Sequence, residues 1–325
     1  MAQTEEQQAD LQTIGGHFSA IVDEHDFPPP GRYGYESARS CLYALIRAVG
    51  ARRVHIPNYI CDAVPKAIAK ADCAIEPYAI GRDFEMAGKI DFQDGDLILL
   101  VNYYGLCAAS IERQLAKLPH DAVVVDNSQA YFQSPFACLA NIYSPRKFLP
   151  VPDGGFIETA VTLSQEPADE DASFRRIRFL LKRVGSEPQR SRSDYLAAEN
   201  SLEEPTLRAM SALTHALARA TDQEFIVRRR SENFRAFAET LGINELGFDL
   251  GNQVPLTYPL LLKNGREVRS SLIEKKVFTP TYWPGLDSTN EFEFLISNNT
   301  VFLPIDHRYD AQDIKYICDI LSVYL

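Results

Sequence analysis

The sequence predicts an α/β fold: a mainly parallel sheet between helices, followed by a small α+β unit. Three observations predict it. Between residues 37 and 126, short apolar runs alternate with segments of helical periodicity. Strands joined through helices run parallel, because each helix returns the chain to the edge where the strand began. Two of the runs, Leu97-Ile98-Leu99-Leu100-Val101-Asn102 and Ala122-Val123-Val124-Val125-Asp126, are apolar at successive positions rather than alternate ones, as expected of strands covered on both faces. From Val254 onward the order changes to strand 254–262, helix 266–275, strand 300–303 and a final helix starting near Asp310. We therefore assign residues 1–240 to an N-terminal segment and a large α/β domain, and 241–325 to a small C-terminal α+β domain.

Each element has its own signal. Residues 1–10 are polar and read as frayed, and Pro28-Pro29-Pro30-Gly31 punctuates the entry to the main body. Leu42, Leu45, Ile46 and Val49 recur at helical spacing, with Ser37 as a cap and Gly50 as a stop. Val54-His55-Ile56-Pro57 reads as a strand, 62–71 as a helix, 74–79 as a strand and 109–118 as a helix. Residues 164–205 carry Arg175, Arg176, Arg178, Lys182, Arg183, Arg190 and Arg192, and read as a solvated or interface helix followed by a loop rather than an anion site. Helical patterns follow near 206–220 and 223–241, and the last helix sets Ile314, Ile317, Cys318 and Leu321 on one face.

Composition excludes several classes. A formal net charge of −11 on 325 residues argues against general nucleic-acid binding. The six cysteines, Cys41, Cys61, Cys73, Cys107, Cys138 and Cys318, form no CxxC pair and no zinc spacing with histidine. No metal is expected. The polar, acidic N-terminus has no signal-peptide character, and no apolar run reaches a membrane span. A cytoplasmic protein with free thiols is the expectation.

In a parallel sheet the ligand site lies at the carboxyl ends of the strands, where Asn102 and Asp126 fall. A lone strand-end aspartate is more often a cap or an ion-pair member. Here it is followed by Asn127-Ser128-Gln129-Ala130 and then by Lys147, in the stretch Tyr143-Ser144-Pro145-Arg146-Lys147-Phe148-Leu149-Pro150-Val151-Pro152-Asp153-Gly154-Gly155. That stretch is too broken by proline for a helix and too polar for core. Read plainly, it is a surface loop with a solvated lysine. Read with Asp126, it supplies the pair that pyridoxal phosphate requires: an amine to form the Schiff base and a carboxylate to keep the pyridine nitrogen protonated. The phosphate would sit where Ser37-Ala38-Arg39-Ser40 opens a helix, with Arg39 and Ser40 as further donors. The alternative is that Ser37 only caps that helix. Gly154-Gly155 is explained by the tight turn after Lys147.

These segments, in order over roughly residues 32–325, resemble the DegT/DnrJ/EryC1/StrS family of pyridoxal-phosphate aminotransferases of fold type I, many of which aminate nucleotide-linked keto-sugars. Ser37 to Leu42 resembles the family's phosphate-binding helix start, and Pro57-Asn58-Tyr59-Ile60-Cys61 its second strand-loop. Val101-Asn102-Tyr103-Tyr104-Gly105 resembles the strand ending in an aromatic and a glycine. Asp126-Asn127-Ser128-Gln129-Ala130 resembles the acid motif, and Tyr143 to Lys147 with Asp153-Gly154-Gly155 the lysine motif. The resemblance implies Lys147 as the Schiff-base lysine, Asp126 on the ring nitrogen, Gln129 on the ring hydroxyl and Ser144 on the phosphate. It also implies a seven-stranded sheet and a homodimer with sites at the interface. Departures stand beside it. Ala38 and Arg39 replace the usual glycine and threonine or serine. Cys61 holds the position of the stacking aromatic, leaving Tyr59 and Tyr104 as alternatives. No clear Asn-Tyr-Arg-Met segment is found, and the charged stretch 164–205 occupies its place. The chain resembles a divergent, short branch linked to surface-polysaccharide synthesis.

Three functions follow. The first is an aminotransferase moving an amino group from an amino acid to a keto-sugar, with Lys147 and Asp126 as catalytic residues. The second is a pyridoxal-phosphate sugar dehydratase or lyase, against which Lys147 speaks, since histidine takes its place in the dehydratase relatives. The third is a non-catalytic scaffold acting through a partner. Outside the constellation, His17, His215 and His307 read as structural, Arg228-Arg229-Arg230 as a solvated helix face, and Trp283 as either packing anchor or site wall.

Overall fold

The computed structural model describes residues 25, 28–184, 188–242, 244–283, 286 and 290–325. The chain enters through β1 (Tyr33–Tyr35) and turns into α1 (Ala38–Val49). Then come β2 (Arg53–Pro57), α2 (Ala63–Lys70), β3 (Ala74–Tyr78), β4 (Asp96–Val101), α3 (Ala108–Leu115), β5 (Val123–Asn127), β6 (Ala140–Tyr143) and β7 (Gly155–Thr159). These seven strands make one sheet in the order β1-β7-β6-β5-β4-β2-β3. All neighbours pair in parallel except β7, which is antiparallel to β6 on one side and β1 on the other.

The doubly apolar strands are covered as their pattern requires. Leu97, Leu99, Val101 and Val124 share a cluster with Cys41, Leu42, Leu45 and Ile46 of α1. Ile98, Leu100, Val123 and Val125 face the other way, against Ile111 and Leu115 of α3. The Ser37 side chain accepts from the Ser40 N–H at the start of α1, and Gly50 ends the helix at φ 64°, a left-handed conformation that glycine adopts without a Cβ penalty.

Five helices follow the sheet: α4 (Glu170–Arg176), α5 (Arg178–Arg183), α6 (Pro188–Ser201), α7 (Ala212–Arg219) and α8 (Gln223–Leu241). The charged stretch is thus three helices, not a helix and a loop, and one of its arginines is interior. Arg176 bonds Asp153 and Glu36, each at 3.1 Å, and all three side chains are buried. Ser173 and Thr214 also donate to Asp153, and Thr206 donates to Glu36. Residues 206–210, expected to be helical, run extended beside β1, with Ala209 opposite Tyr35 and the Met210 N–H on the Gly34 carbonyl. Ser211 then caps α7.

The C-terminal part holds β8 (Tyr258–Leu261), α9 (Gly265–Glu274), α10 (Glu291–Asn299), β9 (Thr300–Leu303) and α11 (Ala311–Leu321). β8 and β9 form an antiparallel pair, and Asp310 with Asp313 builds a reciprocal cap at the start of α11. Strand β8 is shorter than expected because residues 254–256 leave the sheet to meet the main body, the Leu256 N–H bonding the Tyr104 carbonyl at 2.8 Å. One apolar cluster runs from Tyr35 through both sheets to Leu321.

At the amino end of β4, Asp96 accepts from Arg53 at 2.6 Å and from the Gln93 N–H at 3.0 Å, and lies 3.1 Å from His55 Nε2. Burial pushes its carboxyl upward, but these partners outweigh that and hold it down at about 2. No described helix is long and apolar enough to cross a membrane.

Candidate functional site

The strand register gathers the carboxyl ends of β2, β4, β5 and β6 with the end of β1 and the start of β7. Asp126 sits there on the α1 face of β5, half-buried, with Oδ1 accepting from the Ser128 N–H at 2.8 Å. The thiol of Cys41 on α1 is pushed well above its usual range by burial and, to a lesser degree, by the Asp126 charge. Ser144 follows β6 and precedes a single tight helical turn, Pro145–Lys147. The Lys147 side chain is exposed on this turn, while its carbonyl receives a bond from Arg230 Nη2 at 3.4 Å.

Gln129 is the most informative side chain. It is buried, and its Oε1 accepts from the Tyr104 N–H at 2.7 Å. Its Nε2 has no partner among the described residues. A buried donor left unpaired costs about 1–3 kcal/mol, so native chains retain few without a ligand to satisfy them. The fold around it is forced. Tyr104 and Gly105 both take left-handed angles, φ 59° and 73°, and a Cβ on Gly105 would stand 2.6 Å from the Gln129 carbonyl.

Beneath these groups three buried amides span the sheet. Asn102 donates to Asn127 Oδ1 at 3.0 Å, and Asn127 donates to Asn141 Oδ1 at 3.2 Å. Asn141 in turn bonds both the N–H and the carbonyl of Phe136.

Gly155 has a reason other than the turn. A Cβ there would lie 2.3 Å from the Ser37 carbonyl carbon and from the Ala38 nitrogen, so glycine is what lets β7 reach the start of α1. Only Gly154, at φ 114°, is a turn glycine. The start of α1 is thereby held against the segment before β7, with the Gly154 N–H on the Glu36 carbonyl at 2.8 Å.

The other predicted residues are engaged with protein partners. The Ser40 hydroxyl is fully buried between the Ser37 hydroxyl and the Thr206 N–H. Arg39 reaches the Glu203 carbonyl at 2.9 Å. Tyr59 and Tyr104 are fully buried and bonded to each other at 3.0 Å. Tyr59 stacks on Tyr103 and meets the edge of Trp283, with ring centroids 4.5 Å apart in the latter pair, so Trp283 is a packing anchor. Cys61 is half-buried beside Asp62.

His215 packs edge-on against Phe156, and burial lowers its pKa. His307, in the turn before α11, meets Phe225. His17 lies outside the described residues. Arg230 corrects the reading of the triple arginine. It is buried, donates to the Pro255 and Leu256 carbonyls at 3.1 and 2.9 Å, and covers the Phe148 ring at 4.6 Å. Burial lowers its pKa to about 10. The sequence carried the signal: Ile226, Arg230, Phe234 and Phe237 recur on one helical face.

The same architecture occurs in solved sugar aminotransferases. The sugar aminotransferase CalS13 from Micromonospora echinospora shares 16% identity over 90% of this chain and 87% of that one, with a TM-score of 0.63. PseC of Helicobacter pylori, an aminotransferase in pseudoaminic acid biosynthesis, shares 14% over 90% and 86%, with a TM-score of 0.63. A DegT DnrJ EryC1 StrS aminotransferase from Brucella abortus shares 12% over 90% and 85%, with a TM-score of 0.59. No protein-family model and no curated protein sequence matches the chain. At these identities the likeness establishes the fold, which is the fold-type-I arrangement expected from the sequence.

Proposed function

We propose that the protein is a pyridoxal-phosphate-dependent aminotransferase that passes an amino group from an amino acid to a keto-sugar, nucleotide-linked and used in surface-polysaccharide or related synthesis, and that it acts as a homodimer. The observation that carries this reading is the unpaired Gln129 amide nitrogen, buried at the edge where Asp126, the Lys147 turn and the start of α1 meet. A pyridine ring with a hydroxyl and a phosphate matches that set: a carboxylate for the ring nitrogen, a donor for the hydroxyl, and helix N–H groups for the phosphate.

When bound, the cofactor supplies an electron sink for the carbanion at the donor's Cα. The chain's own residues do the rest. Lys147 would tether the cofactor, and its freed amine would take the proton from the donor's Cα and hold it for return. Asp126 keeps the ring nitrogen protonated. Gln129 Nε2 would donate to the ring hydroxyl. Ser144 and the first N–H groups of α1, with Arg39 at its rim, hold the phosphate. The non-catalytic reading draws on the enclosure of Tyr59 and Tyr104, which leaves neither ring at the open edge.

The test is the absorbance of the purified protein with added pyridoxal phosphate, followed by borohydride reduction and peptide mapping. A visible band fixed onto Lys147 and lost in Lys147→Ala is expected. Label elsewhere, or none, refutes the assignment. Loss of the band on adding amino acids, and its return with keto-sugars, separates turnover from binding alone.

A further inference from the structure

Lys147 is exposed and lies on a turn of three residues, a poor support for an atom that must reach a ring held elsewhere. A continuous path of hydrogen bonds compensates. From Gln129, Oε1 is bound by the Tyr104 N–H at 2.7 Å. The Tyr104 carbonyl is bound by the Leu256 N–H at 2.8 Å. The Leu256 carbonyl is bound by Arg230 Nη1 at 2.9 Å, and Arg230 Nη2 reaches the Lys147 carbonyl at 3.4 Å. Arg230 is the one side chain in this path that touches the lysine turn. It holds the turn twice, through that carbonyl and through its face on the Phe148 ring.

A guanidinium suits this task and an ammonium does not. Its planar fork aims several donors in fixed directions while its face lies flat on an aromatic ring. None of its hydrogen bonds goes to a carboxylate: those described end on the carbonyls of Lys147, Pro255 and Leu256. The Asp306 carboxylate lies near enough to act on its charge, but the directional contacts are all to main chain.

We propose that Arg230 is a positioning residue, which sets the distance between Lys147 and Gln129 by clamping the lysine turn to the 255–256 segment. This rests on the proposed role of Lys147. It goes further by naming what places the amine: a buried cation on α8, 83 residues from Lys147 in the chain.

The experiment compares wild type, Arg230→Lys and Phe148→Leu by pyridoxal-phosphate titration of the visible band, rate of borohydride trapping, and urea midpoint. Phe237→Leu, buried on the same helix, is the control for stability loss alone. The expected result is a dissociation constant raised at least tenfold and slowed trapping in Arg230→Lys, a smaller effect of the same kind in Phe148→Leu, and an unchanged constant in Phe237→Leu at a comparable midpoint. If Arg230→Lys does not fold, Phe148→Leu decides. A lowered midpoint with unchanged affinity and trapping in both variants overturns the positioning role and leaves Lys147 as the cofactor lysine. A wild-type protein with no band on Lys147 overturns the role of Lys147, and this inference with it.

Discussion

Replacing Arg176 by methionine should be among the most damaging single changes in the chain, although the residue belongs to the segment whose composition looks most like surface. Arg176 donates to Ser201 Oγ at 2.9 Å, to Asp153 and Glu36 at 3.1 Å each, and to the Ser201 carbonyl at 3.3 Å. Asp153 is fully enclosed and Glu36 nearly so. Methionine fills the volume but leaves two buried carboxylates with no cation. Removing one partner of a buried pair costs about 3–5 kcal/mol. The hydroxyls of Ser173, Thr214 and Thr206 remain on the acids, which places the expected loss near the lower end, about 3 kcal/mol. The assay is urea unfolding of wild type, Arg176→Met, Asp153→Asn and the double variant. The double variant should be more stable than the sum of the two single losses predicts, by at least about 1 kcal/mol, because the second change removes a stranded charge. A loss under about 1 kcal/mol, or strict additivity, would show that the acids do not depend on this arginine.

Three further outcomes are expected. Gly155→Ala puts a Cβ 2.3 Å from the backbone of Ser37 and Ala38, so it should cost about 3 kcal/mol or more and weaken binding of inorganic phosphate and of pyridoxal phosphate alike, both read by titration. Gln129→Glu exchanges an unpaired donor for an acceptor and should reduce pyridoxal-phosphate affinity about tenfold or more with the Tyr104 bond retained, as measured by the visible band. The third concerns pH. The folded carboxyl of Asp96 lies near 2, below the unfolded value of 3.8, so its contribution is complete above pH 3.8 and fades as the pH falls through 2. The stability gap between wild type and Asp96→Asn should therefore shrink across that window, and a constant gap would contradict the assignment.

The sequence made the body of the fold readable because its signals are local. Ser37 and Gly50 bracket α1, the doubly apolar runs are β4 and β5, and Asp310 starts α11. Asp126, Gln129, Ser144 and Lys147 were legible as strand-end and loop residues, and the structure places them at or just after the ends of β5 and β6. What was not legible depends on distant partners. Arg176 is paired across 140 residues with Glu36, and nothing near it in the chain announces that partner. Residues 206–210 favour helix by periodicity, yet pairing with β1 offers their backbone a ladder that helix formation would forfeit. β1, at three residues, is too short to show alternation at all. The tyrosines failed differently. Their type suggested ring stacking, but 45 residues apart they bond each other, a choice made by the approach of the C-terminal part.

The three asparagines under the site have a mechanical consequence. Backbone pairing between β4, β5 and β6 ends where the chain leaves for its functional loops, and at that point a sheet ordinarily begins to splay. Here the amide of Asn102, one residue past β4, bonds Asn127 at the end of β5, and Asn127 bonds Asn141 inside β6, so side chains reinforce the ladder beside the main chain. The loops carrying Tyr104, Gln129 and Lys147 are thus hinged from a laced seam. Shifting one of these strand ends would therefore break a buried side-chain bond as well as a backbone one.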